Sequence, residues 1–246
     1  MYPTTLNTRS FLLTLALISL GACKTGEMSV AEDTASFTEE VEEADPVVDD
    51  SAEPEASYPR DCQDIADADP SASDGRFTLY VDGDSSKPWT ALCVDMRDEP
   101  MEYLVLPHSG DGSNEAEYPC DGWASGSTVR TVVEAVAINP RTFKVDSHDL
   151  SFASSEGACN TFAQLTELPR GYAGTCNGLA NGLANIDLAG TPFVVAADQF
   201  AVEGWQASGE ADYFDGGKLV ELVGGGACGS MSPASPEGVI QLEYRR

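Results

Sequence analysis

Base is scarce in this sequence. Against 41 Asp and Glu there are 13 Lys and Arg and 2 His, a formal net charge of -28. A surface so acidic repels phosphate backbones, which excludes nucleic acid as a partner. The two histidines, His108 and His148, are followed by Ser-Gly-Asp and Asp-Leu-Ser. Neither fits H-E-x-x-H, which sets two imidazoles one helical turn apart around a glutamate base, so zinc proteolysis has no motif here. His148, between Asp146 and Asp149, reads as a turn residue. No C-x-x-C pair offers a zinc site, and no G-x-S-x-G elbow offers a serine nucleophile. Gly224-Gly225-Gly226 is followed by Ala227 rather than Lys-Ser or Lys-Thr, which makes it a flexible turn and not a phosphate cradle. Long amphipathic helices are missing as well. The sequence therefore points away from catalysis, with an enzyme of unrecognised type as the competing reading.

What is present favours strands. Gly at 23 positions and Pro at 14, with 42% hydrophobic residues, suit a turn-rich domain with one sizeable core. Phe77, Leu79 and Val81 alternate on one face, Asp82-Gly83-Asp84 turns the chain, and 89–94 returns, which is a hairpin. Ahead of it, Asp61 caps a helical turn over 63–68 that Pro70 stops. Further strands are expected at 103–106, 129–138 (one or two), 143–145, 150–153, 162–165, 193–196, 200–205, 218–223 and 239–244. The stretch 108–123 reads as a long loop. The duplicated Asn-Gly-Leu-Ala within 174–186 is expected to form turns. The fold class expected is mainly β (β-rich α+β), a compact disulfide-stapled domain of many short strands with one short N-terminal helix.

Ahead of that domain, Arg9 and the apolar run 11–20 have the make-up and length of an export signal. The signal ends in Leu20-Gly21-Ala22-Cys23, which resembles the lipobox of bacterial lipoproteins. That resemblance implies cleavage before Cys23 and lipidation of its sulfur and amino terminus, with the membrane as partner through the anchor. Lys24 rather than Asp at the next position resembles lipoproteins sent to the outer membrane. Residues 24–58 hold Glu39-Glu40, Glu42-Glu43, Asp49-Asp50 and Glu53-Pro54-Glu55 among small residues. Such a tract is expected to stay disordered and to act as a self-repelling tether of roughly 30–35 Å. The organisation expected is signal peptide 1–22, tether 23–58 and globular head 59–246, at the bacterial cell envelope.

The head contains Cys62, Cys93, Cys120, Cys159, Cys176 and Cys228, which in an exported chain suggests a framework of disulfides and leaves no thiol nucleophile. Sequence leaves the connectivity open, and Cys62–Cys93, Cys159–Cys176 and Cys120–Cys228 are expected. Asp64, Asp67, Asp69 and Asp74 in the opening turn, with Asp82 and Asp84 at the hairpin tip, are weak candidates for a structural calcium, with turn capping as the alternative. No other cofactor is expected.

With these residues in view, two resemblances emerge. The unit D-C-Q-D-I…P-S-A-S-D-G-R-F-T-L-Y-V-D-G…K-P-W-T-A-L-C-V-D-M resembles the opening segment of fibrinogen-like domains, up to Met96. There the Gly-Gly-Trp-Thr run of that family gives way to Arg97-Asp98-Glu99-Pro100. The second spans about 59–246 and is to the GON domain, the C-terminal module of ADAMTS-type secreted metalloproteases. Its stations are 59–62, the hairpin, 93–96, 102–106, 145–153, 174–176 and the Gly-rich 224–229 around Cys228. Unlike the usual GON domain, this one has fewer cysteines and follows a lipobox. The resemblance implies a non-catalytic module, since the family's protease is a separate domain. The function expected is a lipid-anchored binding head for a protein or glycan ligand.

Overall fold

The computed structural model describes residues 58–120, 125–160, 164–176, 178 and 181–245. The signal, Cys23 and the tether lie outside the described residues, as do residues 162 and 163 of one expected strand.

The opening unit forms as its capping chemistry directs. The Asp61 side chain accepts the Asp64 amide at 2.8 Å and starts α1, Cys62–Ala68. Next come β1 (Gly75–Tyr80), a tight turn at Val81–Gly83 and β2 (Pro88–Val94), with Gly75 opposite Cys93 and Tyr80 opposite Pro88. Asp82 takes a left-handed φ of 54° in that turn, a conformation Asp tolerates better than most residues. Leu79 is buried inside, as the alternation requires.

Beyond it the chain runs through β3 (Met101–Val105), β4 (Glu115–Tyr118), β5 (Ser125–Gly126), β6 (Val129–Val133), β7 (Ala135–Ala137), β8 (Lys144–Asp146), β9 (Ala153–Glu156), β10 (Cys159–Asn160) and β11 (Gln164–Leu165). It finishes with β12 (Ala173–Thr175), β13 (Gly182–Asp187), β14 (Phe193–Val195), β15 (Phe200–Phe214), β16 (Leu219–Pro233) and β17 (Val239–Tyr244). This is a mainly β domain with one short helix and three disulfides. One sheet runs β1-β2-β3-β7, and a second, long sheet runs β12-β16-β13-β4-β6-β9 with β15 also on β16. Two small sheets, β11-β10-β5 and β14-β17-β8, complete the set. Phe193 of β14 joins the first sheet to the last: its ring meets Trp89 at 5.4 Å and Tyr244 at 5.8 Å, both edge-on.

Several expectations need correction. The 129–138 stretch needs none, since two strands were among the alternatives expected; they lie in different sheets, divided at Glu134. The 150–153 segment is a turn, because Asp149 Oδ1 captures the Ser151 amide at 2.9 Å and the strand starts only at Ala153. The loop expected over 108–123 contains β4, and the second copy of the duplicated Asn-Gly-Leu-Ala, expected as a turn, enters β13 at Gly182. In both places a period-2 pattern is present: Ala116 and Tyr118 point inward, as do Ala184 and Ile186.

The largest correction is Gly224-Gly225-Gly226, expected as a turn, which lies inside β16. Here β16 bends sharply between its contacts with β13 and β12. A Cβ at Gly224 would collide with the Ala173 carbonyl and the Met231 amide, and one at Gly182 with the backbone of Gly174. The glycines permit backbone to meet backbone where the sheet folds over itself.

Register also decides the disulfides. Cys62–Cys93 forms as expected. The other two are Cys120–Cys159 and Cys176–Cys228, not Cys159–Cys176 and Cys120–Cys228. Since Thr175 pairs with Gly229, the next position brings Cys176 opposite Cys228. Cys159 pairs with Gly126 on β5, a neighbour of the segment that leads away from Cys120. Nearness in sequence misleads where sheet pairing is long-range.

Candidate functional site

The long sheet has one face in the core and one open. Inward go Ala116, Tyr118, Ala184, Ile186, Val220 and Leu222. The residues between them face outward, and pairing assembles them into rows that cross the strands. One row reads Glu117, Leu183, Val223, Glu210. In the next, Asn185 stands opposite Glu221, and Glu221 opposite Asp212. These rows border a groove of about 330 Å³ lined by Gly112, Glu115, Glu117, Leu183, Asn185, Glu221 and Val223, with Ala184 and Leu222 beneath. Leu183, the second residue of β13, is 50% exposed and stands opposite Val223 of β16.

One cation serves this face. The Arg130 guanidinium donates from Nε to Glu115 Oε2 at 2.8 Å and from Nη2 to Glu115 Oε1, while Glu117 and Glu156 stand 3.8 and 3.7 Å away. Burial would raise the Glu115 carboxyl, but the Arg130 hydrogen bonds, the Gly112 amide and the Arg130 charge together hold it below the usual range. Glu210, Asp212 and Glu221 have no cationic partner among the described residues.

The residues singled out from sequence lie elsewhere. The calcium candidates do not converge. Asp69 and Asp84 each accept the amide and hydroxyl of the serine two positions on, Ser71 and Ser86. Asp67 takes the Gln63 side chain, Asp74 takes the Met96 amide, and Asp64 pairs with Arg60. Asp82 sits in its left-handed turn. Among the described residues no group of three or more His, Cys, Asp or Glu is arranged to hold a metal. His148 is exposed on the turn after β8, with its amide on Asp146 Oδ1 at 2.8 Å. His108 lies exposed on the loop before β4, where its carbonyl accepts from Asn114. The disulfide cysteines are staples. Sequence reasoning missed Glu117, Leu183, Asp212 and Glu221; Glu-Ala-Glu-Tyr at 115–118 and Leu-Ala-Asn-Ile at 183–186 carry the alternation that would have found the first two, while Asp212 and Glu221 come together only through the pairing of β15 with β16.

A mainly β, three-disulfide domain with an acidic and apolar open face is the class these observations define. A family model for the GON domain matches residues 108–243, more than half of the chain, and the chain belongs to that family. The matched stretch contains all of the long sheet and leaves the opening unit outside it. The chain is also 27% identical over 204 residues to the protein named "A disintegrin and metalloproteinase with thrombospondin motifs gon-1" from Caenorhabditis elegans. That alignment covers 74% of this chain and 9% of the relative, so the chain spans under a tenth of the relative's length. No solved structure matches.

Proposed function

We propose that this is an exported, lipid-anchored envelope protein, seated in the outer membrane, whose GON domain is a non-catalytic head that binds a protein or glycan ligand. The observation that carries the binding role is the open face of the long sheet, where half-exposed Leu183 and its neighbour Val223 lie among carboxylates that outnumber Arg130, the one cation paired with them among the described residues. An apolar patch rimmed by polar groups is the usual make-up of an interaction surface, and here Leu183 and Val223, opposite each other on β13 and β16, form its apolar part. The fibrinogen-like look of the opening segment keeps glycans among the ligands to be tried. The anchor rests on Leu20-Gly21-Ala22-Cys23 and Lys24, and the acidic tract after it would hold the head away from the bilayer.

Membrane fractionation tests the anchor. The wild type should sediment with membranes and Cys23→Ser should not; a fully soluble, exported wild type would defeat this part of the reading. Binding is tested by presenting peptide and glycan collections to the full chain carrying Cys23→Ser. Retention that the isolated 24–58 tract does not reproduce supports the head as binder.

A further inference from the structure

We propose that the open face of the long sheet, from the groove over β4 and β13 across β16 to β15, docks an extended cationic segment of a partner protein, with Lys or Arg at positions one and five and an apolar residue at position three. This rests on the reading of the domain as a binding head and names the class of ligand it takes.

Two independent observations carry it. The first is the row Glu117, Leu183, Val223, Glu210, in which carboxylates flank two facing apolar side chains. Its ends are three strand spacings apart, about 14 Å at roughly 4.8 Å each. In an extended chain, residues one, three and five share a side and the outer two are about 13 Å apart. A segment laid across the strands therefore puts its apolar residue over Leu183 and Val223 and its cations over Glu210, which has no ionic partner among the described residues, and over Glu117, where Glu115, Glu117 and Glu156 share the single charge of Arg130 and leave an excess of negative charge. The second is the pair Asp212 and Glu221, directly opposite on β15 and β16. Like charges facing each other repel, and among the described residues neither has an ion-pair or hydrogen-bond partner. An incoming cation relieves that repulsion, so the sheet is electrostatically complementary to a basic partner before any contact is made. A divalent ion fits poorly, because it needs six to eight oxygens around one point and these carboxylates are spread over several strands with an apolar floor between them. Acidic glycans and nucleic acids are repelled.

The test uses the full chain carrying Cys23→Ser and a labelled synthetic peptide with Lys-Ser-Leu-Ser-Lys at its centre, titrated at low ionic strength. The wild type should bind. Glu117→Gln with Glu210→Gln should weaken binding about tenfold, and so should Leu183→Thr. A peptide with its second Lys moved to position four should lose about fivefold, because the cations no longer share a side. Asp212→Asn with Glu221→Gln should weaken binding and raise the melting temperature together, so loss of folding cannot account for its effect. Equal affinity for wild type and all variants would place capture elsewhere, such as the acidic tract, and overturn this proposal while the head remains a binder. Retention of glycans with indifference to the peptide overturns it in the same way. Retention of neither peptide nor glycan overturns the binding reading itself.

Discussion

A guanidinium buried without a carboxylate has to be held by neutral groups, and at Arg170 the holder is Asn114. Arg170 Nη2 donates to Asn114 Oδ1 at 3.0 Å, Nη1 has no hydrogen-bond partner, and burial pulls the side-chain pKa down to about 9. Asn114 also accepts the Asp187 amide and donates to the carbonyls of His108 and Asp187, from a left-handed backbone that asparagine adopts readily. Asn114→Ala should therefore cost about 3 kcal/mol in urea unfolding, because it strands a buried charge and several backbone groups. Arg170→Met removes the charge along with its need for a partner and should change stability by no more than about 1 kcal/mol. Glu102 makes a pH-dependent counterpart. Burial raises its pKa although it accepts the Cys62 amide at 2.6 Å. A raised carboxyl contributes stability that is complete below the ordinary Glu range and is lost as pH rises through the folded value. Glu102→Gln should thus match the wild type near pH 4 and exceed it at pH 7, as read from chemical denaturation at both pH values.

Whether an element could be read from the sequence depended on whether its signals lie within its own stretch of chain. The opening helix and hairpin were legible because a cap, a turn and an alternation of three apolar residues lie within one short stretch. Residues 239–244 were legible for the same reason, with Ile240 and Leu242 inward. β4 and β13 were not, because Glu115 and Asn185 look like loop residues until Arg130 of β6 and Gly112 of the turn before β4 supply their partners. The bend in β16 was hidden by its composition: a run of glycines signals freedom in a turn and close approach in a folded sheet, and only the neighbours distinguish the two. Gly182→Ala tests this, since its methyl meets the Gly174 backbone, which has no room to give. The expected loss is about 3 kcal/mol. Gly110→Ala, with φ +76° and open space around it, should lose only about 1 kcal/mol. Equal losses would mean that the bend does not depend on backbone contact. Of the candidate site, the acidity was legible from composition, but its arrangement into rows was not, because register joins residues from four separate strands.

At the scale of the whole chain, charge dominates. With 41 acids against 13 bases, the folded state repels itself, and salt should relieve this. Raising ionic strength from about 0.01 to about 0.15 M shortens the screening length from roughly 30 to roughly 8 Å. The melting temperature should climb across that range; one that falls would show that specific ion pairs outweigh the general repulsion.

The three staples also have an order. Cys62 joins Cys93, Cys120 joins Cys159 and Cys176 joins Cys228, so the closed loops follow one another along the chain without nesting or crossing. A polypeptide threaded outward amino end first presents each cysteine after its predecessor has found its mate. An oxidant that couples thiols in order of emergence makes every native bond directly, and no later shuffling is required. Refolding of the head from the reduced state loses that order, because its six thiols are exposed together, so oxidation there should pass through mispaired forms that a thiol–disulfide buffer reshuffles, as trapping and mass spectrometry of the intermediates would show.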